Sequence, residues 1–185
     1  MGVGIGEDPL TGRLVRLRAV TEDDLPTLAR WWADPAVATF QDGGPLHPKP
    51  AAQLIDMLRS WSTNESLDVG LAVTTLDGEL AGHAALHQIR PKDRVGTYGI
   101  MIGPEFQNRG LGTDTTRVML RYGFTELNLR RIQLLAFGYN ERAIAAYRRA
   151  GFREEGRRRE ATFRGGSYHD EVLMGVLRRE WAEPS

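Results

Sequence analysis

The sequence predicts an α/β (α+β) fold: a mixed, largely antiparallel central sheet of about seven strands covered by helices. Three observations predict it. Strand-like and helix-like segments follow one another in an irregular order, two glycine-containing turns (Asp77-Gly78 and Arg164-Gly165-Gly166-Ser167) sit between apolar runs, and an apolar strand at 95–102 opens through a glycine loop directly into a helix.

Residues 13–20 alternate through Arg13, Leu14, Arg16, Leu17 and Arg18, as a half-buried strand does. Thr21-Glu22-Asp23-Asp24 supplies a cap with an acid three residues on, ahead of Leu25, Leu28, Ala29 and Trp32 at helical spacing, so a helix spans about 22–33. From 34 to 50, Pro35, Gly43, Gly44, Pro45, Pro48 and Pro50 impose a loop with at most short helical pieces, and a loop of this length is often a binding element. Helical periodicity returns over 51–61 through Leu54, Ile55, Leu58 and Trp61. A hairpin follows over 69–75 and 80–89, then the strand at 95–102 and a helix ending near Asn128. A strand at 131–137, a helix from Asn140 to Ala150 closed by Gly151, and a final hairpin over 156–163 and 168–177 complete the chain.

At 185 residues with 41% hydrophobic content the chain supports one core, hence a single domain at 11–182 behind a flexible leader at 1–10. The leader's glycines, Gly2, Gly4 and Gly6, mimic a dinucleotide fingerprint, but no strand precedes them. Basic and acidic residues balance at 24 each, so no global field recommends a nucleic acid or a membrane, and no apolar run approaches the roughly 20 residues of a membrane span. With no cysteine, disulfides, thiolate nucleophiles and thiolate metal sites are excluded. No metal site is expected, and a cytoplasmic location is compatible.

The loop Gln107-Asn108-Arg109-Gly110-Leu111-Gly112 lacks Cβ atoms at Gly110 and Gly112, so a ligand can approach the backbone and several N–H groups can converge on an anion. Leu111, Val118, Met119 and Tyr122 give the next segment a helical apolar stripe, which turns its free N–H groups and positive dipole end toward the loop. Taken alone, the loop fits a phosphate cradle and a plain strand-to-helix turn equally well. Asn140, Ala143 and Tyr147 fall at i, i+3, i+7 and share one helix face. Ala143 and Ala146 leave room for a bulky ligand, and the Tyr147 phenol, of reference pKa about 10, can protonate a thiolate leaving group. A core aromatic is the competing reading of a lone helical tyrosine.

Together these segments resemble the GNAT superfamily of acetyl-CoA-dependent N-acetyltransferases. Residues 107–112 fit its Q/R-x-x-G-x-G/A loop, and residues 140–152 fit its Asn-x-x-Ala-x-x-x-Tyr-x-x-x-Gly-Phe segment. Arg157-Arg158-Arg159-Glu160-Ala161, Gly165-Gly166-Ser167-Tyr168-His169-Asp170, Met174 and Glu180-Trp181 are similar to the RimJ/RimL-like branch, which acetylates ribosomal-protein N-termini, and to its polyamine-acetylating relatives. The resemblance extends over about residues 10–181. It implies helices on both faces of the sheet and central strands, 95–102 and 131–137, that splay apart to admit acetyl-CoA as donor co-substrate. It further implies that Gln107 and the backbone of Asn108, Arg109, Gly110, Leu111, Gly112 and Thr113 hold the pyrophosphate, that Ile100, Met101 and Ile102 pair with the pantetheine, and that Asn140, Arg142 and Ala143 line the other side. Tyr147 would stand near the sulfur as general acid.

The implied reaction is direct attack of a neutral amine on the thioester, the oxyanion resting on a strand N–H within 100–102. A peptide or protein N-terminal α-amine, of reference pKa about 8, or a small-molecule amine is the expected acceptor, since a lysine side chain near 10.4 needs more help. The loop at 34–50 and the last hairpin would form the acceptor side, with Tyr98, His87 and Asp170 as substrate contacts. The family often has a glutamate base where this chain has Tyr98, which leaves the base open among His83, His87 and His169 and opens an alternative, a non-catalytic acyl-CoA sensor or scaffold. The exposed final hairpin is compatible with a homodimer.

Overall fold

A computed structural model describes residues 8–181. Its elements are β1 (Val15–Ala19), α1 (Leu25–Ala33), α2 (Pro35–Ala38), α3 (Ala51–Trp61), β2 (Val69–Thr75), β3 (Leu80–Arg90), β4 (Val95–Ile102), a 3₁₀ turn (Pro104–Phe106), α4 (Leu111–Thr125), β5 (Arg131–Phe137), α5 (Glu141–Ala150), β6 (Arg153–Arg164) and β7 (Ser167–Leu177). The seven strands form one sheet in the order β1-β2-β3-β4-β5-β7-β6. Every neighbouring pair is antiparallel except β4 and β5.

The expected elements are present with shifted ends. Asp24 turns back to accept the Thr21 N–H at 2.8 Å and the Arg18 guanidinium at 2.6 Å, so α1 begins at Leu25 with Pro26 in its first turn. Inside the proline-rich loop, Asp34 caps the four-residue α2 by accepting the Ala36 N–H at 2.9 Å. β6 starts three residues earlier than its sequence pattern suggests, and its pairing with β7 is broken at Glu154/Gly156 and at Arg158/Thr162. Glu160, at φ 52°, lies in the second irregularity, which begins after the paired residues Arg157 and Arg158.

Of the leader expected over 1–10, residues 1–7 lie outside the described residues. Pro9 and Leu10 are tied to the body: the Arg121 guanidinium donates to the Pro9 carbonyl at 2.9 Å, and Leu10 packs against the core. Among the described residues no helix is long and apolar enough to cross a membrane.

The core sandwiches the sheet. Leu86, Tyr98 and Ile132 face α4 with Met119, Leu120 and Phe124, while Leu25, Leu28, Leu54 and Leu58 bring α1 and α3 onto the other side. Buried Asp114 fixes α4 to the first strand, its Oδ2 accepting the N–H groups of Leu14 at 2.7 Å and Val15 at 3.2 Å. Asp114→Ala strands both donors and is expected to lower unfolding free energy by about 3 kcal/mol in urea titration, since each buried orphan costs ~1–3 kcal/mol.

Candidate functional site

The site begins where β4 and β5 part. They pair in parallel only at Val95/Arg131, Gly96/Ile132 and Thr97/Gln133, although both strands run on past these residues. Along the opened edge of β4, the Ile100 carbonyl accepts Gln41 Nε2 at 3.1 Å and the Ile102 carbonyl accepts Gln107 Nε2 at 3.2 Å. The N–H of a strand residue points to the same side as its carbonyl, so the Ile100 and Ile102 amides also face the gap.

A cleft of about 180 Å³ occupies that gap, lined by Ile100, Ile102, Gln107, Asn108, Gly110, Gly112, Thr113, Asn140, Arg142, Ala143, Ala146, Tyr147 and Arg149, among others. Its floor at one end is the glycine loop. Gly110 is the N-cap of α4 in the left-handed region at φ 82°, and Asn108 is also left-handed at φ 62°. No side chain caps α4, and its first backbone bond is Asp114 N–H to Gly110 O. The amides of Leu111, Gly112 and Thr113 therefore remain as donors at the positive end of the helix dipole. A Cβ added at Gly112 would meet only Ile102 Cγ1, at 3.7 Å, so this position opens onto the cleft. Arg142 Nη1 donates to Gln107 Oε1 at 2.7 Å, which links α5, the loop and β4 and leaves a cation at the cleft mouth. These features suit a polyanion that continues into an extended, amide-bearing arm.

The opposite wall is α5. Asn140 Oδ1 caps it by accepting the Ala143 N–H at 3.2 Å, and its Nδ2 carries the two donors left for a ligand. At the other end, Phe152 N–H bonds Tyr147 O and Gly151 N–H bonds Arg148 O, a Schellman closure with Gly151 at φ 112°. That closure sets Phe152 against Tyr147 (5.9 Å between ring centres) and Tyr98 (6.2 Å, near-parallel). Burial pushes the Tyr147 phenol up to about 12, so it remains protonated at neutral pH.

A second pocket, of about 470 Å³, lies across the sheet from the cleft and is lined by Trp32, Trp61, Asp68, His83, Ala85, His87, Gly99 and Met101, among others. Ile100 and Gln41 line both cavities. Register pairs His83 with Met101, Ala85 with Gly99 and His87 with Thr97, which sets small Ala85 and Gly99 as a floor between two histidines. Ser62 Oγ donates to Leu58 O at 2.9 Å, so it accepts at 3.0 Å from His83 Nε2, which fixes the tautomer.

The expected site residues thus divide. Ile100, Ile102, Gln107, Asn108, Gly110, Gly112, Thr113, Asn140, Arg142, Ala143 and Tyr147 share the cleft. Met101 points into the second pocket, as alternation along β4 requires, and Leu111 is buried in the core. Arg109 extends over the Phe106 ring, 5.4 Å from its centre. Tyr98, expected at the substrate, is instead buried. Its hydroxyl donates to Thr116 Oγ1 at 3.1 Å, which itself donates to Gly112 O at 2.7 Å. Burial, aided by nearby Tyr147, pushes the Tyr98 phenol well above its usual value. Asp170 is on the far hairpin, where it accepts the Glu160 N–H at 3.1 Å, and lines neither cavity. His87 does line the second pocket. Sequence reasoning missed Gln41, Trp32, Trp61 and Asp68; the proline-rich loop marked the neighbourhood of Gln41 but not the residue.

A splayed β4–β5 fork with an open helix N-terminus at one end and a helical tyrosine on its wall makes an elongated cleft suited to an anionic, amide-bearing ligand. The Acetyltransferase (GNAT) domain profile matches residues 14–153, and the chain belongs to that family of N-acetyltransferases, whose members use acetyl-CoA. Among its relatives, YdaF of Bacillus subtilis (strain 168), provisionally named a ribosomal N-acetyltransferase, is 34% identical over 126 residues, 68% of this chain and 67% of YdaF. Spermidine N(1)-acetyltransferase of Escherichia coli (strain K12) is 36% identical over 109 residues, and the match spans only 59% of either protein. The spermidine N-acetyltransferase of Vibrio cholerae, solved with CoA and spermine, superposes with a TM-score of 0.81 at 26% identity, over 90% of this chain and 96% of that one.

Burial lowers the His83 imidazole to about 4. Its folded value lies below its unfolded one, so the stability it contributes is present above pH ~6.5 and is lost as pH falls toward ~4, where the unfolded chain takes the proton first. Urea unfolding at pH about 7 and about 4.5 should show a loss of up to ~3 kcal/mol, and His83→Gln should flatten it.

Proposed function

We propose that the chain transfers the acetyl group of acetyl-CoA to a primary amine, either a peptide or protein N-terminal α-amine or a small-molecule amine, by direct attack, with Tyr147 as general acid. The observation that carries this reading is that the cleft holding Tyr147 and the pocket across the sheet meet at Ile100 and Gln41, so a donor and an acceptor can approach one point from opposite sides. The pyrophosphate would rest on the amides of residues 111–113 and the pantetheine along Ile100 and Ile102. The thioester oxygen would take the Ile100 N–H as carbon–nitrogen bond formation builds negative charge on it. A phenol held protonated by burial can supply the proton that the departing thiolate needs. The named relatives support the acceptor class from two directions, one by its ribosomal assignment and others by spermidine.

The test is release of free thiol from acetyl-CoA with a panel of small amines and N-terminal peptides. Turnover is expected with at least one amine; tight CoA binding without thiol release from any of them would favour the non-catalytic sensor. Tyr147→Phe is expected to reduce kcat roughly 100-fold while CoA affinity stays within about twofold. Unchanged kcat would remove Tyr147 from the reaction.

A further inference from the structure

We propose that His87 accepts the proton of the attacking amine from its seat beside the Ala85–Gly99 floor of the second pocket. This deepens the acetyl-transfer reading and rests on it. The geometry comes from β3 and β4. His87 and Gly99 project to the same face, and a Cβ built on Gly99 would lie 3.7 Å from His87 Nε2. The imidazole therefore overhangs Gly99, a strand position without a side chain, immediately before Ile100, where the pocket reaches the opened edge of β4. An amine nitrogen reaching from the pocket toward a carbonyl at Ile100 N–H would come alongside that ring.

The two histidines of the pocket differ in what they can do. His83 is buried, its Nε2 is committed to Ser62, and its neutral form is so favoured that it makes a poor base. His87 is half-buried, and among the described residues no group hydrogen-bonds its ring nitrogens. Burial lowers its proton affinity and the Asp68 carboxylate partly opposes that, so the ring is a free base at neutral pH and still has an acid to stabilise the imidazolium. Asp68 is itself anchored, accepting the N–H groups of Gln88 at 3.1 Å and Ile89 at 3.0 Å. The other lining residues that α1, α3 and β4 contribute, Trp32, Ser60, Trp61 and Gly99 among them, carry no charge, so Asp68 and His83 are the titratable groups facing His87 within the pocket.

The protons balance. A neutral amine forms the new C–N bond as the C–S bond breaks; its surplus proton passes to His87, and the sulfur takes the Tyr147 proton. Solvent water then returns the imidazolium proton to the phenolate, regenerating both groups and leaving amide and free CoA thiol.

His87→Ala is expected to lower kcat roughly 100-fold with CoA affinity within about twofold, and added imidazole should restore turnover in proportion to its free-base fraction. Asp68→Asn, which keeps an acceptor for one of the two amides, should move the acidic limb of kcat/KM to lower pH by removing the charge that favours the imidazolium. Wild-type turnover in His87→Ala overturns the proposal. So does a lost kcat that imidazole fails to restore in a variant that still binds CoA, which would mark a packing role. If the wild-type chain releases no thiol with any amine, acetyl transfer itself falls, and this assignment with it.

Discussion

Parallel pairing between β4 and β5 holds for only three residue pairs, and the opened edges that result lie in the middle of a seven-stranded sheet. Unpaired strand edges are costly in a sheet interior because each amide and carbonyl needs a partner. Two glutamine side chains, Gln41 from the proline-rich loop and Gln107 from the glycine loop, satisfy the Ile100 and Ile102 carbonyls. The matching amides are left facing the gap, which is what an extended amide-bearing ligand adding alongside a strand requires. The cleft is thus an interruption in the sheet's own hydrogen bonding.

An aromatic cluster and a hydrogen-bond chain lie where the fork opens. Tyr98 follows the last β4 residue paired with β5, packs against Phe152 and Tyr147, and donates a hydrogen bond to Thr116, which reaches Gly112 O in the first turn of α4. Strand, cradle helix and Tyr147 helix are thereby referenced to one another. A carboxylate at position 98, as the family resemblance led one to expect, would sit here in a buried aromatic environment. On the other face of β4, alternation places Gly99, and the neighbouring β3 strand places His83 and His87.

Legibility followed the range of the interactions. Hairpins at Asp77-Gly78 and Arg164–Ser167, the helix starting after Gly110 and the one capped by Asn140 depend on local backbone chemistry, and the sequence shows them directly. The cleft-facing residues Gln107, Asn108, Gly110, Gly112 and Thr113, with Asn140, Arg142, Ala143 and Tyr147, were also readable, because each set lies within two turns of one loop or helix. Tyr98 and Asp170 were misplaced by the same reasoning: which way a strand residue faces depends on register with a distant partner. Gln41 could not be singled out because its role is defined by a carbonyl 59 residues away.

By itself the sequence determined the order of elements, a single apolar core, the glycine cradle and the face that carries Asn140 and Tyr147, since these follow from periodicity, capping and turn chemistry over short stretches. Only the tertiary structure decided that the β4–β5 fork opens just after Thr97, that Tyr98 is core, and that a second pocket meets the cleft at Ile100 and Gln41. The reason is physical: where pairing stops and which cavities adjoin are set by contacts between residues far apart in the chain, and those contacts leave no periodic trace in it.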